Sequence, residues 1–221
     1  MIEFITRYST YIAVVLGLVT GYPLISTRGY LKQYNKFQVF ALCVFFSLIS
    51  VISVLLFASV EGVIGGKGFS VGAVSTYGLY IIAPVILLVV FHKNENSKRV
   101  FDRYALYVLP SMILQRIRCM MSGCCYGKYL FGTQLRWPTR EMEILFYICM
   151  LFIFLKKEKT LVQGSLFPLL MISYSSFRFI EEFVRGGSGL LHMAHMWSVI
   201  VLIIGLSIYA EFRHVKHGRG Y

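Results

Sequence analysis

The sequence predicts an all-α polytopic membrane protein with seven transmembrane helices, its N-terminus outside and its C-terminus in the cytoplasm. Three observations carry that prediction. Of the 221 residues, 57% are hydrophobic and only 14% charged, with a mean hydropathy of +0.68. Soluble domains are roughly 25% charged and less than half apolar. The apolar residues fall into runs close to the ~20 that cross a bilayer. The lysines and arginines collect in alternate loops between those runs, which is the asymmetry that orients membrane proteins.

The first run, 8–25, has no basic region before it and no clear small-residue cleavage site after it, so it is expected to stay as a span. The second, 39–61, is apolar until Glu61 closes it. The third, 69–91, contains Pro84, and the fourth, 104–127, contains Pro110. Helix bundles in lipid tolerate such prolines because neighbours satisfy the freed backbone groups. The fifth, 141–155, is short, with twelve uncharged residues between Glu143 and Lys156. Either it tilts little, or Glu143 enters the membrane region as a working group. The sixth run is 161–183 and the seventh 193–210. Together they make one domain covering 1–221.

The loops at 26–37, 92–103 and 156–160 and the tail after 210 hold 13 of the 22 lysines and arginines. The opposite side holds six, and Arg116, Arg118 and Arg178 lie inside spans. The net charge of +12 is therefore assigned to membrane orientation, and no nucleic acid is expected as a partner.

A charged residue at the bilayer centre costs roughly 2.5–3.5 kcal/mol on insertion scales, so it needs a partner or a task. Two stretches raise that question: QRIRCMMSGCCYG at 115–127 and YSSFRFIEEFVR at 174–185. On a helix, Tyr174, Arg178, Glu182 and Arg185 share one face within about 80°, and Arg178 and Glu182 can pair at i, i+4. One reading is an ion-pair stripe that pins the bundle. The other is an anion site for a lipid phosphate, which guanidinium forks suit. Arg116 shares its helical face with Gly123 and Gly127, which would let a helix or a ligand approach. Arg118 is 200° away and points elsewhere; it can snorkel, pair with a carboxylate such as Glu143, or face a second cavity. The five cysteines are read as small packed residues, with no disulfide framework and no metal. No cofactor is expected. His192 and His195 are read as an interfacial pair, and Trp137 and Trp197 as interface anchors.

These motifs carry a resemblance. RIxCxxxGCCYG is similar to the fourth-span signature of the prolipoprotein diacylglyceryl transferase family in its GCCYG form. WPTREMEILFY resembles that family's HPTQLYE block, and YSSFRFIEEFVRG its Y-x-x-x-R-F-x-x-E-x-x-R-G block. STYG at 75–78 and RYSTY at 7–11 resemble two further segments, so the likeness covers nearly the whole chain.

The resemblance implies transfer of the diacylglyceryl group of phosphatidylglycerol, or of another anionic phospholipid, to the thiol of a lipobox cysteine in a precursor protein or to a related acceptor. It implies a bacterial plasma membrane as the location. It maps the family's two essential arginines to Arg116 and Arg178, and further binding positions to Tyr8, Gly127, Glu143, Tyr174 and Glu182. Gly123 and Arg185 complete the expected binding set. The family's third-span histidine is Tyr77 here, and the histidine of HPTQLYE is Trp137. The groups that hold phosphate are therefore kept, and those that could move a proton are not. Tyr77 or Glu182 is then expected to act as base, or the thiol to ionise without help. The alternative is a non-catalytic lipid-binding or lipid-moving protein on the same scaffold.

Overall fold

The longest helix among the described residues arises from the apolar run 39–61. The computed structural model describes residues 15, 17–26, 35–66, 75–92, 97–130, 132–185 and 193–217. Among the described residues there are seven helices and no strands beyond isolated bridges. They are α1 (17–26), α2 (Lys36–Ile64), α3 (Gly78–Phe91), α4 (Ser97–Met121), α5 (Thr139–Lys157), α6 (Leu166–Glu181) and α7 (Met193–His217).

α2 starts at a capping box, in which the Asn35 backbone N–H donates to the Gln38 side chain at 3.1 Å. It stops at Gly65, whose N–H returns to the Glu61 carbonyl at 2.8 Å. α3 can begin where it does because Gly78 lies against the α2 backbone; a Cβ there would come within 2.1 Å of the Ser53 carbonyl oxygen. Pro84 and Pro110 sit inside α3 and α4 without ending them. α2 and α7 are long and apolar enough to cross a membrane, and α3 is shorter but as apolar in character.

The core is built around α4. Every residue from Val100 to Pro110 is buried, so this helix is surrounded on all sides by α2, α3, α5 and α6. Ser50 and Tyr104 hydrogen-bond across the α2–α4 contact at 3.0 Å, and Ser47 pairs with Tyr107 beside them. A tyrosine column runs from this core toward the site: Tyr80 stacks on Tyr174 with centroids 4.3 Å apart, and Tyr147 stacks on its other side at 6.4 Å. The outward faces of α2, α5 and α7 carry exposed Leu56, Val60, Leu145, Phe152, Ile203 and Leu206.

Two expectations change here. The fourth helix ends at Met121, well before Gly127, and the sixth ends at Glu181. Gly123 and Gly127 therefore share no helical face with Arg116. Gly123 takes φ +64°, which ends the helix by turning the chain left-handed. Gly127 packs on the next segment: a Cβ would lie 2.5 Å from that of Trp137. Both glycines lie in the loop after the helix, and the face they were expected to share with Arg116 ends where the helix does.

Candidate functional site

Glu143, near the start of α5, is 1% exposed and is the hub of the site. Its Oε2 pairs with the Arg116 Nε from the last turns of α4. Its Oε1 accepts from Arg178 Nη1 at 3.0 Å and from Arg185 Nη1 at 2.8 Å. The Tyr147 hydroxyl, one turn along α5, donates to Oε2 at 3.3 Å.

Arg178 is shared further. Its Nη1 donates to Glu181 Oε2 at 2.6 Å, and its Nη2 pairs with Glu182 Oε2 at 3.0 Å. The i+3 and i+4 spacings on α6 supply these two carboxylates, and α5 supplies the third. Arg185 is brought in because residues 127 and 185 form a bridge between the loop after α4 and the end of α6. Three guanidinium groups thus meet three carboxylates, all of them buried but the half-buried Arg185. Removing one member of a buried pair typically costs about 3–5 kcal/mol, because the other is left uncompensated.

The network forms one wall of a cavity of about 330 Å³. Arg116, Arg178 and Arg185 reach it from one side, Glu61, Ser75 and Tyr77 from another, and Cys119, Cys124 and Cys125 from the loop. Arg116 and Arg178 therefore converge, as the sequence suggested. The mutual repulsion expected of them is met by Glu143, which stands between them, rather than by a required bound anion. Arg118, expected to point elsewhere, lines this same cavity and makes no ion pair among the described residues. The cavity wraps the end of α4, so a residue 200° around the helix still reaches it. The Tyr174 ring is buried, and its hydroxyl has no hydrogen-bond partner among the described residues. It too faces the cavity.

The family model for prolipoprotein diacylglyceryl transferase matches residues 5–210. This chain belongs to that family. Similar proteins include the phosphatidylglycerol–prolipoprotein diacylglyceryl transferase 2 of Clostridium perfringens, 26% identical over 243 residues that cover 91% of this chain and 90% of the relative. The phosphatidylglycerol–prolipoprotein diacylglyceryl transferase of Clostridium tetani is 23% identical, covering 89% of each chain. That of Dehalococcoides mccartyi is 24% identical over 75% of this chain and 70% of its own.

Prolipoprotein diacylglyceryl transferases are membrane proteins, and the apolar helices above accord with that. Of the residues that the family motifs singled out, Arg116, Glu143, Arg178, Glu182 and Arg185 form one network, with Tyr174 beside it. Tyr8 lies outside the described residues, as does His192. Tyr77, at the family's histidine position, donates its hydroxyl to the Ala194 carbonyl at 2.8 Å and is 2.9 Å from Ser198 Oγ. His195 is buried with its ring against Phe179 and Phe183.

Sequence reasoning missed Glu181, although its i+3 spacing from Arg178 was a usable signal. It missed Glu61, which reads only as the polar end of α2. It also read the cysteines as packed residues. The structure instead gathers Cys119, Cys124 and Cys125, whose sulfur atoms all lie within 4.8 Å of one another. No local pattern announces this, because the backbone must turn back at Gly123 and Cys125 to achieve it.

Proposed function

We propose that this chain transfers the diacylglyceryl group of phosphatidylglycerol to the thiol of a lipobox cysteine in a prolipoprotein. Its setting is one seven-span domain in the bacterial plasma membrane, with the N-terminus outside. The observation that carries this reading is the convergence of Arg116, Arg118 and Arg178 on one cavity inside an apolar bundle.

In the reaction the acceptor sulfur attacks the glycerol carbon bonded to the phosphate ester. A C–S bond forms, the C–O bond breaks, and glycerol phosphate leaves with the electron pair. Charge grows on the departing phosphate, and guanidinium groups already held in place by carboxylates stabilise it with little reorganisation. Arg178 has both terminal nitrogens engaged by carboxylates. Its task is to hold the wall, and Arg118 with the remaining edge of Arg116 meets the phosphate. Tyr174 offers its hydroxyl to the lipid ester region. Of the two bases expected, Tyr77 already donates its proton to a carbonyl, so a carboxylate on this side of the bundle, Glu182 or Glu61, is the better acceptor for the thiol proton.

Mass spectrometry of a lipobox peptide incubated with the purified chain and phosphatidylglycerol tests the reading. A thioether-linked diacylglyceryl adduct is expected. Lipid that co-purifies with no adduct would establish the non-catalytic alternative instead. A cysteine introduced in the 26–37 loop should resist an impermeant external reagent; its labelling would reverse the orientation.

A further inference from the structure

We propose that Cys119, Cys124 and Cys125 form a three-thiolate site for zinc on the cavity wall, with a fourth position open to the acceptor thiol. This rests on the transfer reading above and adds to the carboxylate base named there a centre that makes the thiol easier to ionise.

The donor set suits the ion. Thiolates select zinc among divalent metals, and three protein ligands with one open position is the arrangement of catalytic zinc. Sulfur atoms in a tetrahedral zinc site stand about 3.8 Å apart, given zinc–sulfur bonds of about 2.3 Å. The three here lie within 4.8 Å, so closure on an ion needs about an ångström of movement at most.

The loop is also built to hold them. Cys125 takes φ +61°, a left-handed conformation that costs a non-glycine residue about 1–3 kcal/mol and recurs at functional sites. That turn, following Gly123 at +64°, carries the chain back toward α4. Its backbone is pinned to α5: Thr139 Oγ1 donates to the Cys125 carbonyl at 3.0 Å, and Arg140 Nη1 to the Cys119 carbonyl at 3.4 Å. Cys124 Sγ lies 3.2 Å from Ser122 Oγ and donates weakly to the Cys119 carbonyl at 3.7 Å. Three thiolates on zinc leave one negative charge, and Arg118 on the same cavity has no carboxylate of its own among the described residues.

In the reaction the acceptor thiol enters the open position and loses its proton as it binds, because a coordinated thiol is deprotonated. Glu61 on the facing wall takes that proton. The bound sulfur then donates an electron pair to the glycerol carbon, the C–O pair leaves with the phosphate, and the neutral thioether departs from the metal. Nothing is oxidised or reduced.

The test uses the full chain, purified in detergent under reducing conditions, stripped with a chelator and reloaded with zinc or cobalt(II). One ion per chain and a sulfur-to-cobalt charge-transfer band are expected. Affinity should fall at least about tenfold in each of Cys119→Ser, Cys124→Ser and Cys125→Ser, and stay unchanged in Cys43→Ser and Cys149→Ser. Cys124→His should recover binding, a result that a merely misfolded loop would not produce. Loading that persists when all three are serine overturns the site, as does failure of the fully reduced chain to bind one ion. Undiminished adduct formation by the stripped chain removes the metal from the reaction and leaves the transfer reading standing. Stoichiometric metal with no adduct in any loaded form does the reverse.

Discussion

Asp102 and Glu143 are both buried carboxylates tied to the ends of α4, α5 and α6, about 20 Å apart along the helices by their spacing. Asp102 accepts from two backbone amides, Gly164 at 2.7 Å and Leu166 at 2.9 Å, where the chain enters α6. Beside it Arg103 pairs with Glu158 at the end of α5. Glu143 accepts instead from the side chains of three arginines. The difference is one of spare donors. A backbone amide cannot leave its carboxylate without unfolding a turn, so the Asp102 end is a fixed joint. A guanidinium carries several N–H groups on one plane, so Arg116 can keep Glu143 and still turn an edge to the cavity, which under the proposed function is where the phosphate is met. Only that end borders the cavity.

Glu143→Ala is expected to have the largest effect. It leaves two buried cations, Arg116 and Arg178, and the half-buried Arg185 short of a partner, and we expect a loss of about 3–5 kcal/mol in detergent unfolding together with loss of the transfer adduct. A stable, active variant would show that the hub is dispensable. Arg178→Lys comes next. A lysine is a single point charge that cannot fork to Glu143, Glu181 and Glu182 at once. It should lose about 2–3 kcal/mol, nearly the loss of Arg178→Ala. A wild-type melting profile would mean that charge alone suffices.

Asp102→Asn keeps one acceptor oxygen and turns the other toward the backbone as a donor, at an expected cost of about 1–2 kcal/mol. Transfer per folded molecule should not change; an equal fall in both would make this end functional too. Tyr174→Phe removes a buried hydroxyl that has no partner among the described residues. Stability should hold or rise by up to about 1 kcal/mol while adduct formation falls. Loss of stability without loss of transfer would make the hydroxyl structural. Arg118→Ala should change stability least, within about 0.5 kcal/mol. Its apparent affinity for phosphatidylglycerol should weaken roughly tenfold, equivalent to about 1.4 kcal/mol. Unchanged affinity would leave the phosphate to Arg116.

The helices were legible in the sequence because hydropathy over some twenty residues is a local property. Six of the described helices fall on the runs read from it, with ends shifted by up to nine residues, and the seventh on the part of the first run that is described. The arginines inside apolar runs were legible as well, since a cation in such a run is conspicuous wherever the chain later goes. Their partners were not. Glu143 lies 27 residues after Arg116 and 35 before Arg178, and only the packing of α4, α5 and α6 decides that one carboxylate serves both. The three cysteines were hidden for a related reason. Their spacing is ordinary, and it is the left-handed backbone at Gly123 and Cys125, held by contacts from α5, that brings the sulfurs together. What the sequence determined was what the membrane reads, apolar length and loop charge; what tertiary structure decided was which charges and thiols meet, because those contacts depend on distances through space that no local pattern encodes.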